Sequence, residues 1–171
     1  REDSTKLLSI ARRVEIVEEF AEMNPRGRVF ICGGENLLTP ERLFALTRRC
    51  KALGLSSQMA TNGSLVDEAM AELLILEGPD QIALSLNSLR AEVHDYMRGR
   101  PGSFAEVTNA VRLLRAARRR HGRHTRIHVH AIICEHNYRE LEAFHHFVLC
   151  ELRADKLDMG FLQPTFDPVA A

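Results

Sequence analysis

Several patterns that define other classes of protein are missing from this chain of 171 residues. No apolar run approaches the roughly 20 residues that a membrane span requires, and no basic segment followed by a short apolar stretch marks a signal peptide. The 23 basic residues equal the 23 acidic ones in number, so no overall field attracts nucleic acid. We therefore expect a cytoplasmic protein that binds neither membranes nor nucleic acid.

The four cysteines are too widely spaced to form a recognised metal or disulfide motif. They are Cys32, Cys50, Cys134 and Cys150, and no C-x-x-C pair occurs among them. Closely spaced pairs are typical of structural zinc sites, and a high density of cysteine is typical of small disulfide-linked domains. We expect neither, and we assign no metal ligand in this chain.

One basic segment, residues 118–126, departs from the even balance of charge. We interpret it as the solvated end of a helix, where cations oppose the negative pole of the helix dipole. A phosphate-binding patch is the alternative. It is the weaker interpretation, because no aromatic residues interleave the segment for base stacking.

The chain contains a repeated unit of a short apolar run, a polar turn and an amphipathic helix. With 45% hydrophobic residues and no low-complexity linker, residues 1–171 are expected to form a single domain. The apolar runs are residues 29–32, 57–60, 81–86, 127–133 and 156–162. Strands that alternate with helices pair in parallel, so the predicted class is α/β. Both an open doubly wound sheet and an incomplete barrel fit this alternation.

The predicted helices have recognisable end signals. Thr39 before Pro40 predicts an N-cap with proline at the first helical position, and Gly54 predicts the left-handed residue that closes this helix. An earlier apolar stripe over residues 7–21 predicts that the chain begins with a helix. Two pairs have the spacing of reciprocal capping boxes, Ser103 with Glu106 and Asn137 with Glu140.

Polar residues collect directly after the predicted strands. They are Gly33, Gly34, Glu35 and Asn36 after the first strand, Thr61, Asn62 and Gly63 after the second, Ser85, Asn87 and Ser88 after the third, Glu135 and Asn137 after the fourth, and Gln163 and Pro164 after the last. The carboxyl ends of parallel strands share one edge, where such folds bind ligands. These residues mix donors and acceptors, and no glycine-rich loop with a lysine is present. The pattern therefore favours a zwitterionic nucleoside, with Glu35 facing an ammonium group and Arg98, Ser85 and Asn62 facing a carboxylate.

In order and spacing, several segments resemble radical S-adenosylmethionine enzymes. The segments are residues 32–40 (CGGENLLTP), 61–65 (TNGSL), 85–88 (SLNS), 94–99 (HDYMRG) and 102–104 (GSF), followed by Asn137. The resemblance extends from Val29 to Pro164 and is greatest to the branch that contains peptide-modifying maturases. It implies a partial TIM-like barrel of parallel strands.

The resemblance also implies a set of residues that bind S-adenosylmethionine. Gly33, Gly34 and Glu35 match the G-G-E motif that contacts the methionine amino group, Ser85 and Arg98 match contacts to the methionine carboxylate and ribose, Thr61 and Asn62 match the T-N-G turn, and Ile133 stands where an apolar residue packs near the adenine. In this family S-adenosylmethionine bound to a 4Fe-4S cluster is cleaved reductively to a 5'-deoxyadenosyl radical, which abstracts hydrogen from the substrate. The expected partners are a peptide or small-molecule substrate and an external electron donor.

The sequence departs from the family pattern in three places. The C-x-x-x-C-x-x-C motif that ligates the cluster is absent, so we expect the first strand and its cysteine loop to lie upstream of Arg1. Asn36 replaces the usual proline after G-G-E, and Asn87 replaces a common aspartate. Without the cysteine motif, the alternative function is a degenerate barrel that binds a nucleoside or a partner protein without catalysis.

Two further interpretations are weaker. His128 and His130 alternate on one predicted strand and so share a face, but no third metal ligand is evident, and we interpret them as residues that line the barrel. An ordinary barrel lyase is not favoured, because no lysine or paired carboxylates stand at the strand ends. We assign no catalytic residue.

Overall fold

The computed structural model describes residues 8–162. Within them lie helices α1 (Ile10–Met23), α2 (Pro40–Ala52), α3 (Glu68–Leu76), α4 (Ala91–Arg98), α5 (Ser103–His121) and α6 (Leu141–His146), and strands β1 (Arg28–Ile31), β2 (Ser56–Thr61), β3 (Gln81–Ser85), β4 (Arg126–Ile133) and β5 (Lys156–Phe161). Each strand begins and ends within one residue of the predicted bounds. Three residues named in the sequence predictions, Leu7, Gln163 and Pro164, lie outside the described residues.

The five strands form one parallel sheet in the order β1-β2-β3-β4-β5. A doubly wound sheet would reverse its strand order at a switch point, whereas a barrel adds each strand beside the previous one. The sequential order therefore selects the partial barrel over the open sheet. It also confirms the α/β class.

The two faces of the sheet differ in chemistry. Ile82 and Leu84 of β3 and Ile127 and Val129 of β4 are fully buried in the core that includes α5. Each such side chain contributes about 1.5 to 3 kcal/mol when it leaves water. The opposite face, which we call the inner face, is more polar; its paired residues include Gln81 with Arg126, Ala83 with His128, Ser85 with His130, and Ile132 with Gly160.

The helix ends agree only in part with the predicted caps. Thr39 is the N-cap of α2 with Pro40 after it, although the Thr39 side chain makes no capping hydrogen bond. Gly54 has a φ of 72°, the left-handed conformation predicted for it. The basic segment begins as the last turn of α5, which confirms the predicted helix end.

The two predicted capping boxes are wrong. Ser103 is the first residue of α5 and follows its N-cap, Gly102; the Ser103 hydroxyl donates to Asp95 at 2.8 Å. Asn137 precedes a 3-10 turn, Tyr138–Glu140, and makes no side-chain cap. In both cases the glutamate pairs with an arginine instead, Glu106 with Arg100 and Glu140 with Arg90. Tertiary partners compete successfully with local capping here.

Helix length and composition also bear on membrane insertion. Across residues 8–162, the helices are too short or too polar to cross a membrane. The longest of them is α5, with 19 residues. Four of the residues in its last turn are basic or histidine, which is unlike a span.

Candidate functional site

The loop after β1 requires glycine for its backbone conformation. Gly33 has a φ of 96° and Gly34 a φ of 56°, a region that other residues rarely adopt. A Cβ atom added at either position would meet nothing within 4 Å. The backbone conformation of the turn therefore requires glycine at both positions, and the missing side chains leave the backbone of this loop open to a ligand.

Glu35 follows the glycines and ties this loop to the end of β2. Its carboxylate accepts hydrogen bonds from the Thr61 hydroxyl at 2.9 Å, from the backbone N–H of Asn62 at 2.9 Å and from the backbone N–H of Leu37 at 3.1 Å. A carboxylate has about four acceptor positions, so one remains for a further donor. Thr61 and Asn62 thus hold Glu35 in place.

Asn36 explains how the chain tolerates the loss of the usual proline. Its side chain is buried, and its amide donates to the carbonyls of Ile31 at 3.1 Å and Ala60 at 3.0 Å. These carbonyls lie at the ends of β1 and β2. Asn36 therefore joins the two strands that carry the glycines and the T-N-G turn.

Six of the eight predicted cofactor-binding residues line one pocket. Its volume is about 330 Å³, and it is bordered by Gly34, Glu35, Ala60, Thr61, Asn62, Ser85 and Arg98. Gly33 lies in the adjoining loop and is exposed. We call this the polar pocket, because a carboxylate, a hydroxyl and a guanidinium face the same space.

A second pocket adjoins the first, with Arg98 on the border of both. Its volume is about 450 Å³, and its lining is more apolar: Asn87, Tyr96, Met97, Arg98, Ile132, Cys134, His136 and Leu162. The rings of Tyr96 and His136 meet edge to face, with centroids 5.0 Å apart. We call this the apolar pocket, and we refer to the polar and apolar pockets together as the cleft.

Ile133 does not bring its side chain to either pocket. It is buried and shares its strand face with Ala131 and Val129, which pack in the core. Its neighbour Ile132 lies on the inner face and lines the apolar pocket. Side chains of adjacent strand residues point to opposite faces, so only one of the two can face the cleft.

Arg98 is the last residue of α4 and is exposed. Within residues 8–162 it forms no ion pair, which leaves its guanidinium available to an anionic group. One helical turn earlier, His94 is buried, and its Nδ1 accepts a hydrogen bond from the backbone N–H of Asn87 at 3.1 Å. Burial, and then the charge of Arg98, lower the pKa of His94 to about 4. His94 is therefore neutral and fixes α4 to the end of β3.

Asp95 fixes the other side of α4. Its carboxylate accepts from the Phe104 amide at 2.8 Å, the Gly102 amide at 2.6 Å and the Ser103 hydroxyl. The hydrogen bond from Phe104 is the main cause of a lowered Asp95 pKa. Asp95 thus caps α5 from outside that helix and positions the segment that carries Arg98.

Two asparagines hold the ends of β3 and β4 together. The side-chain N–H groups of Asn137 donate to the backbone carbonyls of Asn87 at 2.7 Å and Ile132 at 2.8 Å. Its side-chain oxygen accepts from the backbone N–H of Cys134 at 2.9 Å. The Asn87 oxygen accepts from the Ile132 amide at 3.1 Å. This asparagine clamp, Asn87 and Asn137, frames the apolar pocket.

The cleft can hold a zwitterion with an attached ring. Glu35 at one side of the polar pocket suits an ammonium group, and Arg98 suits a carboxylate through charge-assisted hydrogen bonds. The apolar pocket offers Ile132, Met97 and the Tyr96 ring to an aromatic group. Mixed polar and apolar linings of this kind are typical of small-molecule sites.

The thiols of this chain do not fit an iron-sulfur cluster. Cys50 is buried and its pKa is raised to about 11 by burial, whereas Cys32 and Cys150 are exposed and Cys134 lies in the apolar pocket. In the described part of the chain, no three metal-ligating side chains are grouped for an ion. A cluster held by three cysteines therefore needs ligands from elsewhere.

Part of the site was not predicted from the sequence. Tyr96, Met97 and Ile132 line the apolar pocket but were not proposed as site residues. Ile133, the neighbour of Ile132, was proposed instead. A signal did exist, since Ile132 continues the alternation of His128 and His130. His136, whose position in the turn after the fourth strand puts it within reach of this edge, also lines this pocket.

Curated relatives match only part of this chain. An AdoMet-dependent heme synthase from Methanosarcina barkeri is 34% identical over 89 residues, which are 52% of this chain and 25% of that protein. The antilisterial bacteriocin subtilosin biosynthesis protein AlbA from Bacillus subtilis is 36% identical over 85 residues, 49% of this chain and 19% of that protein. The chain thus spans a quarter or less of these two relatives.

Solved structures and a family model extend the match over more of the chain. The crystal structure of Streptococcus suis SuiB bound to S-adenosylmethionine superposes with a TM-score of 0.77, at 18% identity, over 98% of this chain and 36% of SuiB. At that identity the likeness shows the fold. The model of the Radical SAM superfamily matches residues 1–148. Since this match covers most of the 171 residues of the chain, the chain belongs to the Radical SAM superfamily of enzymes.

Proposed function

We propose that this chain supplies the S-adenosylmethionine pocket of a radical S-adenosylmethionine enzyme. The observation that carries the proposal is the polar pocket, because six predicted site residues that are distant in sequence line it. Membership of the family supports it further. The activity of the whole protein belongs to the proposal, because the chain spans only part of its relatives.

Each end of the cofactor has a complementary group in the cleft. Glu35 accepts the methionine ammonium group in its remaining acceptor position, while Gly33 and Gly34 allow the ligand to approach the backbone. Arg98 and Ser85 donate to the methionine carboxylate and the ribose. Thr61 and Asn62 act through Glu35, which they orient.

The adenine is assigned to the apolar pocket. Ile132 packs near the ring, with Tyr96 and Met97 on the helix side. Ile133 contributes by anchoring the end of β4 in the core, which fixes the position of Ile132. Arg98 stands between the two halves of the ligand in this assignment, which its place on the border of both pockets supports.

The bound cofactors supply the radical chemistry, namely reductive cleavage of S-adenosylmethionine at a 4Fe-4S cluster followed by hydrogen abstraction. The residues of this chain bind and orient S-adenosylmethionine and keep water from it. The cluster ligands and an external electron donor come from outside the chain. Four unpaired thiols suit the reducing cytoplasm that we propose as its location.

A peptide is the proposed substrate class. AlbA acts in bacteriocin biosynthesis, and SuiB has also been solved bound to its precursor peptide SuiA. The heme synthase from Methanosarcina barkeri keeps a small natural-product intermediate as a second candidate. A non-catalytic barrel that binds a nucleoside or a partner protein is the second candidate function, because residues 8–162 do not contain the cysteine motif.

Calorimetry with S-adenosylmethionine on the full-length, cluster-reconstituted protein tests the pocket. We expect E35Q and R98A each to weaken binding about tenfold to a hundredfold, because each removes a charge-assisted hydrogen bond of about 1.5 to 3 kcal/mol. Gln keeps an acceptor for Thr61, so E35Q preserves much of the loop.

Two matched controls separate the pocket from general effects of charge. R100Q removes an exposed arginine two residues beyond Arg98, and E41Q removes an exposed glutamate of α2. Neither lines the polar or the apolar pocket. Unchanged affinity in both E35Q and R98A, or equal losses in the controls, contradicts the proposal.

A further inference from the structure

A third cavity lies at the amino ends of the strands, opposite the cleft. Its volume is about 650 Å³, and it is lined by the first residues of four strands, Arg28, Gln81, Arg126 and Lys156, by Arg118 in the last turn of α5, and by Arg123 just after that helix. Along β4, its lining residue His128 is four residues from Ile132 of the cleft, which is about 13 Å at a rise of about 3.3 Å per residue. We call it the basic cavity; neither pocket of the cleft shares a lining residue with it.

The charges around the basic cavity are unbalanced. Asp155 is the one carboxylate among its described lining residues, and it pairs with Arg118. Lys156 pairs with Asp158 at 2.5 Å. Arg28, Arg123 and Arg126 have no ion pair among residues 8–162 and border the same space. Grouping like charges costs free energy unless a counter-charge joins them.

The sheet holds two of these unpaired arginines on one face. Gln81 pairs with Arg126, and the register across β1 to β3 places Arg28 on the same inner face. Each begins a strand, so its Cα position is fixed by the ladder. Burial is the main cause of a lowered pKa of His128, which also lines the cavity; the charge of Asp158 opposes this lowering, and the charges of Lys156 and Arg126 add to it.

We propose that the basic cavity binds a small ligand with two linked oxyanion groups, of the diphosphate class. Three unpaired guanidinium groups match its two to three negative charges, and the planar fork of arginine suits phosphate oxygens. The volume suits such a ligand better than a single phosphate. A single-stranded nucleic acid is disfavoured, because no Phe, Tyr or Trp is among the described lining residues.

Titration calorimetry of pyrophosphate into the full-length protein, at fixed ionic strength, tests this site. We expect R28Q/R126Q to raise the Kd for pyrophosphate at least about tenfold, because two guanidinium donors are lost. Both residues are exposed, so the variant should fold. Orthophosphate should bind more weakly than pyrophosphate, since it can engage fewer of the cations.

R112Q is the matched control. Arg112 is an exposed residue of α5 that does not line the cavity, so its removal should leave the Kd within about twofold. An equal loss in R112Q, equal affinity for orthophosphate, or no binding of millimolar pyrophosphate overturns the proposal. E35Q should bind pyrophosphate normally, so failure of the S-adenosylmethionine pocket and failure of this site are distinguishable.

Discussion

His94 and Arg98 stand one helical turn apart on α4 in contrasting environments. The Arg98 guanidinium is exposed to the cleft, whereas His94 is 1% exposed and accepts a backbone hydrogen bond from Asn87. A protonated His94 could not accept this bond and would stand near a second positive charge. Protonation of His94 would therefore break a hydrogen bond that holds α4 to the segment after β3.

His94 predicts a dependence of stability on pH. Its folded pKa is about 4, and its unfolded pKa is about 6.5. The unfolded chain therefore binds the proton more readily, and stability falls as pH drops from about 6.5 towards 4. From pH 7 to pH 5 this group alone removes about 2 kcal/mol from the free energy of unfolding.

Urea unfolding at these two pH values checks the effect. H94Q keeps an acceptor for the Asn87 amide but cannot titrate, so its loss of stability between pH 7 and pH 5 should be smaller by about 2 kcal/mol. H145Q removes an exposed histidine of α6 and should leave the dependence unchanged. A full pH dependence in H94Q rejects the assignment.

At the scale of elements, the asparagine clamp joins β3 to β4 where the cleft opens. Asn137 is 2% exposed and satisfies two carbonyls and one amide. N137A leaves these groups without their partner, and we expect a loss of about 2 to 4 kcal/mol in the free energy of unfolding. Urea denaturation measures this loss directly.

N109A provides the comparison for N137A. Asn109 is exposed on α5, so its loss should change stability by no more than about 0.5 kcal/mol. N137A should also weaken S-adenosylmethionine binding, because the clamp positions Ile132. Equal stability in the two variants shows that the clamp is dispensable.

The elements were predictable because their signals are local. Each strand is an apolar run bounded by polar residues, and the polar residues after the runs predicted the polar pocket. The capping boxes were wrong because Ser103 and Glu140 find partners outside their own helical segments, Asp95 and Ser88. Such partners depend on the assembled fold, which spacing along the chain does not reveal.

The apolar pocket was harder to predict for a similar reason. Ile132 and Ile133 are identical residues, so residue type does not distinguish them; the alternation from His128 and His130 assigns Ile132 to the inner face, and the pairing of His130 with Ser85 agrees. Sequence periodicity is the same in a barrel and in an open sheet, so the prediction of a partial barrel came from the family resemblance, and the strand order confirms it. The extent of a single domain over residues 1–171 stays a prediction.

At the scale of the whole molecule, the sheet presents two chemically distinct ends. The carboxyl ends carry Glu35 and Arg98 in a cleft of mixed charge, and the amino ends carry the basic cavity. Neither end provides three thiolates. Catalysis by a radical enzyme therefore depends on a cysteine loop outside this chain, and a non-catalytic barrel would lack that loop.

Anaerobic reconstitution of the full-length protein with iron and sulfide distinguishes these two functions. We expect a 4Fe-4S absorbance and, with a reductant, 5'-deoxyadenosine from S-adenosylmethionine. Alanine in place of the cysteines that ligate the cluster should abolish both signals, because the cluster loses its ligands. R98A should keep the absorbance and lose 5'-deoxyadenosine at low S-adenosylmethionine, since it weakens only cofactor binding. A full-length protein that binds S-adenosylmethionine but assembles no cluster is the non-catalytic barrel.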